Sequence, residues 1–263
     1  MDLGLRGKVA FVAAGSKGLG RAIAEELAAE GASLAINARG VAALDATCES
    51  IRSSTRAEVL AVPGDLSNAD EVDAMVNAAI ERFGHIDILV TNAGGPPSGA
   101  FETLSPEMWK SAVDLTLLSV VNLTRAVLPG MKARKWGRII NVTSIAAKQP
   151  VDGLMLSNSI RSAVTGFART LANEVAASGI TVNNILPGYT RTERVEQLSA
   201  AVAGREGIST SEAVARWTSE IPMGRLGEPR EFAAVAAFLA SERASYITAG
   251  SIAVDGGWIK SLL

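Results

Sequence analysis

Apolar runs of strand length alternate with helical periodicities along almost the whole chain, and this rhythm leaves few folds open. Residues 9–14 form a continuous apolar run, the pattern of a parallel strand covered on both faces. Leu19, Ile23 and Leu27 then recur every four residues, and Gly31 supplies the positive φ that ends such a helix. The same reading predicts strands at 33–38, 58–62, 86–91, 138–143, 180–186 and 251–254, with helices at 41–54, 69–83 and 230–240. Ser67 or Asn68 caps the helix at 69–83. A long helix starts at Ser105-Pro106 and reaches about residue 134, with Pro129 as its point of interruption. Ile160, Val164, Phe167, Leu171 and Val175 trace the buried stripe of another. The expectation is an α/β, single-domain, Rossmann-like, doubly wound parallel sheet of about seven strands, with helices on both faces.

A length of 263 residues fits one such domain spanning 1–263, since single sheets with helical covers commonly reach about 250 residues. Segment 189–227 breaks the rhythm: it is charged, has no strand pattern, and is expected to form one or two short helices as a substrate-binding lid. A net charge of −2 gives no reason to expect nucleic acid or an anionic membrane as partner. Cys48 is the only cysteine, so no internal disulfide can form, and a cytoplasmic location is the expectation. No apolar run is read as a membrane span, and the charged N-terminal residues are not read as a signal peptide.

The first strand enters Ala13-Ala14-Gly15-Ser16-Lys17-Gly18-Leu19-Gly20 and passes directly into a helix. Glycines at a strand–helix turn let the backbone approach a pyrophosphate, whose charge rests against helix N–H groups. With this turn, four further segments resemble the short-chain dehydrogenase/reductase family. Thr91-Asn92-Ala93-Gly94 is similar to the family's Asn-Asn-Ala-Gly segment, and Asp65-Leu66 to the pair that contacts adenine. Pro187-Gly188 with Thr192 resembles the element whose threonine holds the nicotinamide carboxamide, and Val254-Asp255-Gly256-Gly257 the C-terminal signature. The resemblance spans nearly the whole chain and leans toward 3-oxoacyl carrier-protein reductases. One departure is in the turn itself, where the family's Thr-Gly opening is Ala13-Ala14.

A site preferring NAD places an acid after the second strand to hold the ribose 2′-OH. Here the stretch is Asn37-Ala38-Arg39, and both Arg39 and Lys17 can grip a 2′-phosphate, so NADP(H) is the expected cofactor.

The family resemblance also implies a Tyr-x-x-x-Lys pair, a serine and an asparagine for proton chemistry. Ser144 matches the serine, but Ser157 stands at the tyrosine position, Arg161 at the lysine position and Thr116 at the asparagine position. Arg161 could still hold ribose hydroxyls. An aliphatic hydroxyl is a far weaker acid than a phenol, so Ser157 does not replace the tyrosine and another group or water must supply the proton. Lys148, four residues past Ser144, is the candidate acid if desolvated, and otherwise an ordinary loop lysine. Tyr189 is a second candidate, and otherwise packs the base of the lid. Asn158 and Gln149 could orient a carbonyl; His85 and Cys48 are read as remote from the chemistry. The leading expectation is an NADP(H)-dependent oxidoreductase acting on a small carbonyl or alcohol, with 3-oxoacyl substrates as one possibility. The rivals are a non-redox lyase or isomerase and a silent NADP-binding scaffold. Self-association as a tetramer or dimer through the helices at 105–134 and 157–178 is implied by the resemblance.

Overall fold

The computed structural model describes residues 2–262. Among these, seven parallel strands form one sheet in the order β3-β2-β1-β4-β5-β6-β7. They are β1 Val9–Val12, β2 Ser33–Ala38, β3 Val59–Pro63, β4 Ile88–Thr91, β5 Gly137–Val142, β6 Ile180–Pro187 and β7 Ser251–Val254. The chain winds outward from β1 to β3, then restarts at β4 and winds the other way. The reversal opens a crevice beyond the C-terminal ends of β1 and β4.

Helices α1 Gly18–Ala29, α2 Val41–Thr55, α3 Ala69–Phe83, α4 Pro106–Val113, α5 Ser119–Arg134, α6 Met155–Val175, α7 Glu193–Glu206, α8 Thr210–Glu220 and α9 Pro229–Ala240 connect or cover the strands. Pleating sends alternate residues of each strand to opposite faces. Ala10 and Val12 therefore enter a core made with α1, α2 and α9, while Phe11 enters one made with α3, α5 and α6. Strand and helix bounds fall within two residues of the sequence expectation, except that α6 ends at Val175 and a 3-10 turn, Ala176–Ser178, carries the chain to the expected end. Asn68 is the cap of α3, its side chain accepting from the Asp70 and Glu71 N–H groups.

Two expectations need correction. Pro129 does not interrupt α5; it and Arg125, whose carbonyl loses its bond, both lie on the exposed face, where water can satisfy that oxygen. The break comes earlier, where Asp114–Leu118 widens into a π-helical turn between α4 and α5. The stretch Pro106–Arg134 is also long and apolar enough to match a membrane span, with a hydropathy of 1.4 over an 18-residue window. It serves instead as a core helix, burying Leu123, Val127 and Met131 against the sheet.

The segment expected as a lid contains two helices, α7 and α8. Its base is closed by a parallel bridge between Thr190 and Gly227. The Gly227 N–H donates to the Tyr189 carbonyl at 3.0 Å, and the Arg191 N–H to the Gly227 carbonyl at 2.8 Å.

Polar side chains run across the sheet just below the crevice. The Thr91 hydroxyl donates to Asn141 Oδ1 at 2.7 Å, Asn141 Nδ2 to Asn184 Oδ1 at 3.0 Å, and Asn184 Nδ2 to Ser251 Oγ at 3.1 Å. Each link joins residues that are partners in strand register. Asn141→Ala leaves a buried donor and a buried acceptor unpaired, and should cost about 2–4 kcal/mol. Chemical or thermal unfolding measures this, and an unchanged midpoint would remove the ladder as a register lock.

Candidate active site

The crevice is floored by the glycine turn, and three of its glycines are needed for three different reasons. A Cβ on Gly15 would lie 2.6 Å from Ile36 Cγ2. Gly18 has a φ of +56°, and a Cβ there would meet only the Thr192 methyl region, at 3.8 Å. A Cβ on Gly20 would collide with the Ala14 carbonyl and approach Asn92 Nδ2 to 2.7 Å. Asn92 Nδ2 donates to that same carbonyl at 3.3 Å, so the end of β4 fastens the turn leaving β1.

Ala14, at the place of the family's glycine, keeps the left-handed backbone with a φ of 47°. That conformation costs an L-residue about 1–2 kcal/mol. Asn37 holds it there: its carbonyl accepts the Gly15 N–H at 2.8 Å, and its buried amide is tied to the Val62 and Gly64 carbonyls, each at 3.1 Å.

The turn and the end of β4 form an open ledge. Nothing lies within 4 Å of a Cβ built on Gly94, and Ala93 beside it is only half-buried. Ser16 gives its carbonyl to the Thr47 hydroxyl, and Leu19 turns into the core. Pro187-Gly188 comes against the C-terminal signature, where a Cβ on Gly188 would stand 2.7 Å from Asp255 Cα. This cradle of free backbone fits a dinucleotide. Lys17 and Arg39 stand at its margin, exposed, with Lys17 Nζ 2.6 Å from Glu193 and an Arg39 nitrogen 3.8 Å from Asp65. Such exposed pairs are weak, so either cation can turn to a phosphate. Bonds from the Ser67 backbone and hydroxyl hold the Asp65 carboxyl below the usual range, and Leu66 is buried beside it.

The chemical side of the crevice is built by α6. Leu156, Ser157, Ile160, Arg161 and Val164 lie on one stripe of that helix, so Ser157 and Arg161 are buried by the same periodicity that buries its core residues. Arg161 is 7% exposed and donates through one terminal nitrogen to the Val142 carbonyl at 2.6 Å, tying α6 to the end of β5. Its Nε has no partner. Burial, and after it the charge of Arg194, lowers its pKa to about 10, so it remains a cation at neutral pH.

Ser144 follows the end of β5 after one intervening residue, Thr143. Its oxygen accepts from the Ala146 N–H at 3.1 Å, which leaves its own proton free to donate. Thr116 lies in the π-helical turn, buried, with its hydroxyl unpartnered. That turn, through Leu117, and the end of α4, through Val113, pack on Leu156 and Ile160 of α6.

Neither proposed proton donor has the environment the sequence reading required. Lys148 is exposed on the turn beyond Ser144, so the desolvation invoked for it is missing. Tyr189 is stacked on Trp217 at 4.7 Å and meets Trp258 edge-on at 6.2 Å. Burial first, then the Glu220 carboxylate, pushes its pKa up to about 12, making it a poorer acid than a free phenol. Tyr189 therefore packs the base of α8.

Asn158 and Gln149 are also engaged. Asn158 bonds both the N–H and the carbonyl of Val151, and Gln149 accepts from the Lys260 N–H. His85, 3.0 Å from Asp87 before β4, is at the opposite sheet edge, and Cys48 is fully buried in α2.

One residue escaped the sequence reading. Arg194, in the first turn of α7, reaches back across the crevice to donate to the Pro96 carbonyl at 2.9 Å, and its guanidinium lies over Gly95. Its signal was its place two residues past Thr192, but only the closure of the 190–227 base brings it over the loop after β4.

Two tests follow from this geometry. Gly20→Ala should unseat the Ala14 carbonyl and Asn92 together, lowering the melting temperature by several degrees and dinucleotide affinity by about tenfold or more. The raised Tyr189 pKa means stability is fully present below about pH 10 and is lost as pH rises toward about 12. In an alkaline titration followed by tyrosinate absorbance, Tyr189→Phe should delete the late phase; its persistence would show that Tyr189 is solvent-accessible.

Residues 13–259 match the family model described as enoyl-(acyl carrier protein) reductase. A putative ketoacyl reductase of the monensin polyketide synthase from Streptomyces virginiae is 36% identical over 255 residues, covering 95% of this chain and 96% of that one. The 3-oxoacyl-[acyl-carrier-protein] reductase FabG of Vibrio cholerae is 34% identical over 255 residues, covering 97% and 98%. L-sorbose reductase from Gluconobacter frateurii, solved with NADPH and L-sorbose, superposes with a TM-score of 0.95 at 36% identity over the whole of both chains. The chain belongs to the enoyl-(acyl carrier protein) reductase family, within the short-chain dehydrogenases/reductases.

Proposed function

We propose that the protein is an NADP(H)-dependent oxidoreductase that interconverts a ketone and its alcohol, with 3-oxoacyl chemistry as the nearest class among its relatives. The observation that carries this reading is the intact ledge of Gly18, Gly94 and Thr192 opening onto Ser144, beside a buried and charged Arg161. NADP(H), when bound there, supplies or accepts the hydride; Arg39 and Lys17, with no acid after β2, favour the 2′-phosphate form.

The chain's own residues then have these roles. Ser144 donates a hydrogen bond to the carbonyl oxygen and fixes its direction. Ser157 borders the same space as a small hydroxyl on α6. Arg161, a cation fixed by the Val142 carbonyl, stabilises the negative charge that develops on that oxygen and can hold the cofactor ribose. No side chain here matches the acidity of a phenol beside lysine, so the proton comes from water entering where the larger tyrosine would stand.

We assign 189–227 to a lid that carries the apolar wall of the substrate space, since Tyr189, Leu198, Val202 and Trp217 line a small cavity with Val151 and Leu154. The apolar surface that Pro106–Arg134 leaves uncovered in one chain supports self-association through α5 and α6. A silent NADP-binding protein is the second reading, favoured by the loss of the tyrosine alone.

The test is NADPH oxidation with a panel of ketones. Arg161→Met should lower kcat by about 100-fold or more, Lys148→Ala should leave it within about twofold, and Arg39→Ala should cut the NADPH-over-NADH preference by about tenfold. NADPH binding without turnover on any ketone points to the second reading, and no binding at all removes both.

A further inference from the structure

The crevice holds two guanidinium groups that the structure leaves without an anion. Arg161 is nine-tenths buried, its Nε has no acceptor, and its one bond goes to a neutral carbonyl. Arg194 is half-buried, and its bond also goes to a neutral carbonyl, that of Pro96. Among the described residues, neither is paired with a carboxylate, although other arginines of the same segment are: Arg191 with Glu228, and Arg205 and Arg216 with Glu206. Burial lowers the pKa of both, and Arg194 adds to the lowering at Arg161. Two like charges brought together away from water are costly unless an anion is taken up between them.

The position of the pair indicates which anion. In the proposed reading the cofactor's phosphates would be held at the start of α1 and by Lys17 and Arg39, on the β1–β2 side, once those cations turn from Glu193 and Asp65. Arg161, one helical turn from Ser157, is tied to the end of β5 two residues before Ser144, and Arg194 to the Gly95-Pro96 loop after the neighbouring strand β4, on the side proposed for the carbonyl substrate. A phenol at position 157 would occupy this space; serine leaves room there for a second substrate group beside the water that supplies the proton. Guanidinium forks match carboxylates bidentately, whereas an ester or thioester offers them no charge.

We propose that Arg194 and Arg161 together bind the carboxylate of a short oxo acid, so that the substrate is the free acid and not its neutral ester or thioester. The proposal rests on the oxidoreductase reading, in which the acid's ketone lies against Ser144. Arg194 is then the specificity-determining residue, delivered by the first turn of the lid helix. Lid position and substrate charge are coupled through it.

The experiment has a kinetic arm and a binding arm. In the first, a series of 2-oxo and 3-oxo acids and their methyl esters is offered with NADPH to wild type, Arg194→Leu, Arg194→Lys and, as a surface-charge control, Arg191→Gln. Acids should exceed their esters in kcat/KM by about tenfold or more, as for a lost charge-assisted bond. Arg194→Leu should raise KM for acids by a similar factor while leaving esters and the NADPH Kd within about twofold; Arg194→Lys should recover part of the loss. In the second arm, malonate is titrated into the NADP-loaded protein and the melting temperature is read. It should stabilise wild type and Arg191→Gln more than Arg194→Leu. Esters reduced as well as acids would overturn the proposal. So would a fall in NADPH affinity in Arg194→Leu that matches its loss of acid turnover, which would assign the arginines to the cofactor. If no carbonyl compound is reduced, the oxidoreductase reading fails alone and the malonate shift still decides: a shift equal in wild type and Arg194→Leu overturns the anion site.

Discussion

The chain Thr91–Asn141–Asn184–Ser251 is the constraint on which the rest of the site depends. Apolar strands buried on both faces can slide against one another with little change in contact, because one branched aliphatic residue substitutes well for the next. Directional bonds between buried amides and hydroxyls cannot slide. Moving any of β4 to β7 by one residue would turn its polar side chain to the other face and strand its neighbours in a low-dielectric interior. The ends of these four strands are thereby held level. Asn92 follows the first of them, Ser144 the second, Gly188 the third and Asp255 the fourth. A ledge made of four loops from four strands is only as precise as the register beneath it.

A second constraint acts through α6. Its buried stripe carries Ser157 and Arg161 into the crevice because they fall on the same face as Leu156, Ile160 and Val164. Replacing a phenol and a flexible amine by a small hydroxyl and a planar cation changes what this face can do. The Arg161 cation on this face is tied to the Val142 carbonyl and cannot retreat to solvent. In the reading proposed above, chemistry here leans on stabilising charge more than on relaying protons. The unpartnered hydroxyl of Thr116 in the neighbouring π-helical turn belongs to the same rearrangement.

Much of this was legible in the sequence, for identifiable reasons. A short continuous apolar run ending in a glycine turn is the pattern of a strand covered on both faces, so β1, beginning at Val9, is visible from composition alone. The glycine turn and the positions of Ser144, Ser157 and Arg161 follow from local spacing. What the sequence hid depends on long-range closure. Arg194 lies far along the chain from the Pro96 carbonyl it bonds, and no periodicity links the two. Lys148 illustrates the reverse: its distance from Ser144 along the chain is short, but a tight turn after Ser144 leaves its side chain in water. Ala14 shows that residue type predicts backbone geometry imperfectly, since Asn37 enforces a left-handed turn that glycine would take freely.

The bridge between Thr190 and Gly227 has a consequence for how such a protein can diversify. Both ends of the excursion that bears α7 and α8 leave the framework at one point, pinned by two backbone hydrogen bonds. Closing a longer or shorter loop at a fixed stem changes its entropy only slowly with length. Insertions, deletions and wholesale exchange of the 191–226 segment therefore make few demands on strand pairing. The framework and the segment proposed as the lid are mechanically separable, and lineages built on one sheet can exchange that segment by grafting at a single stem.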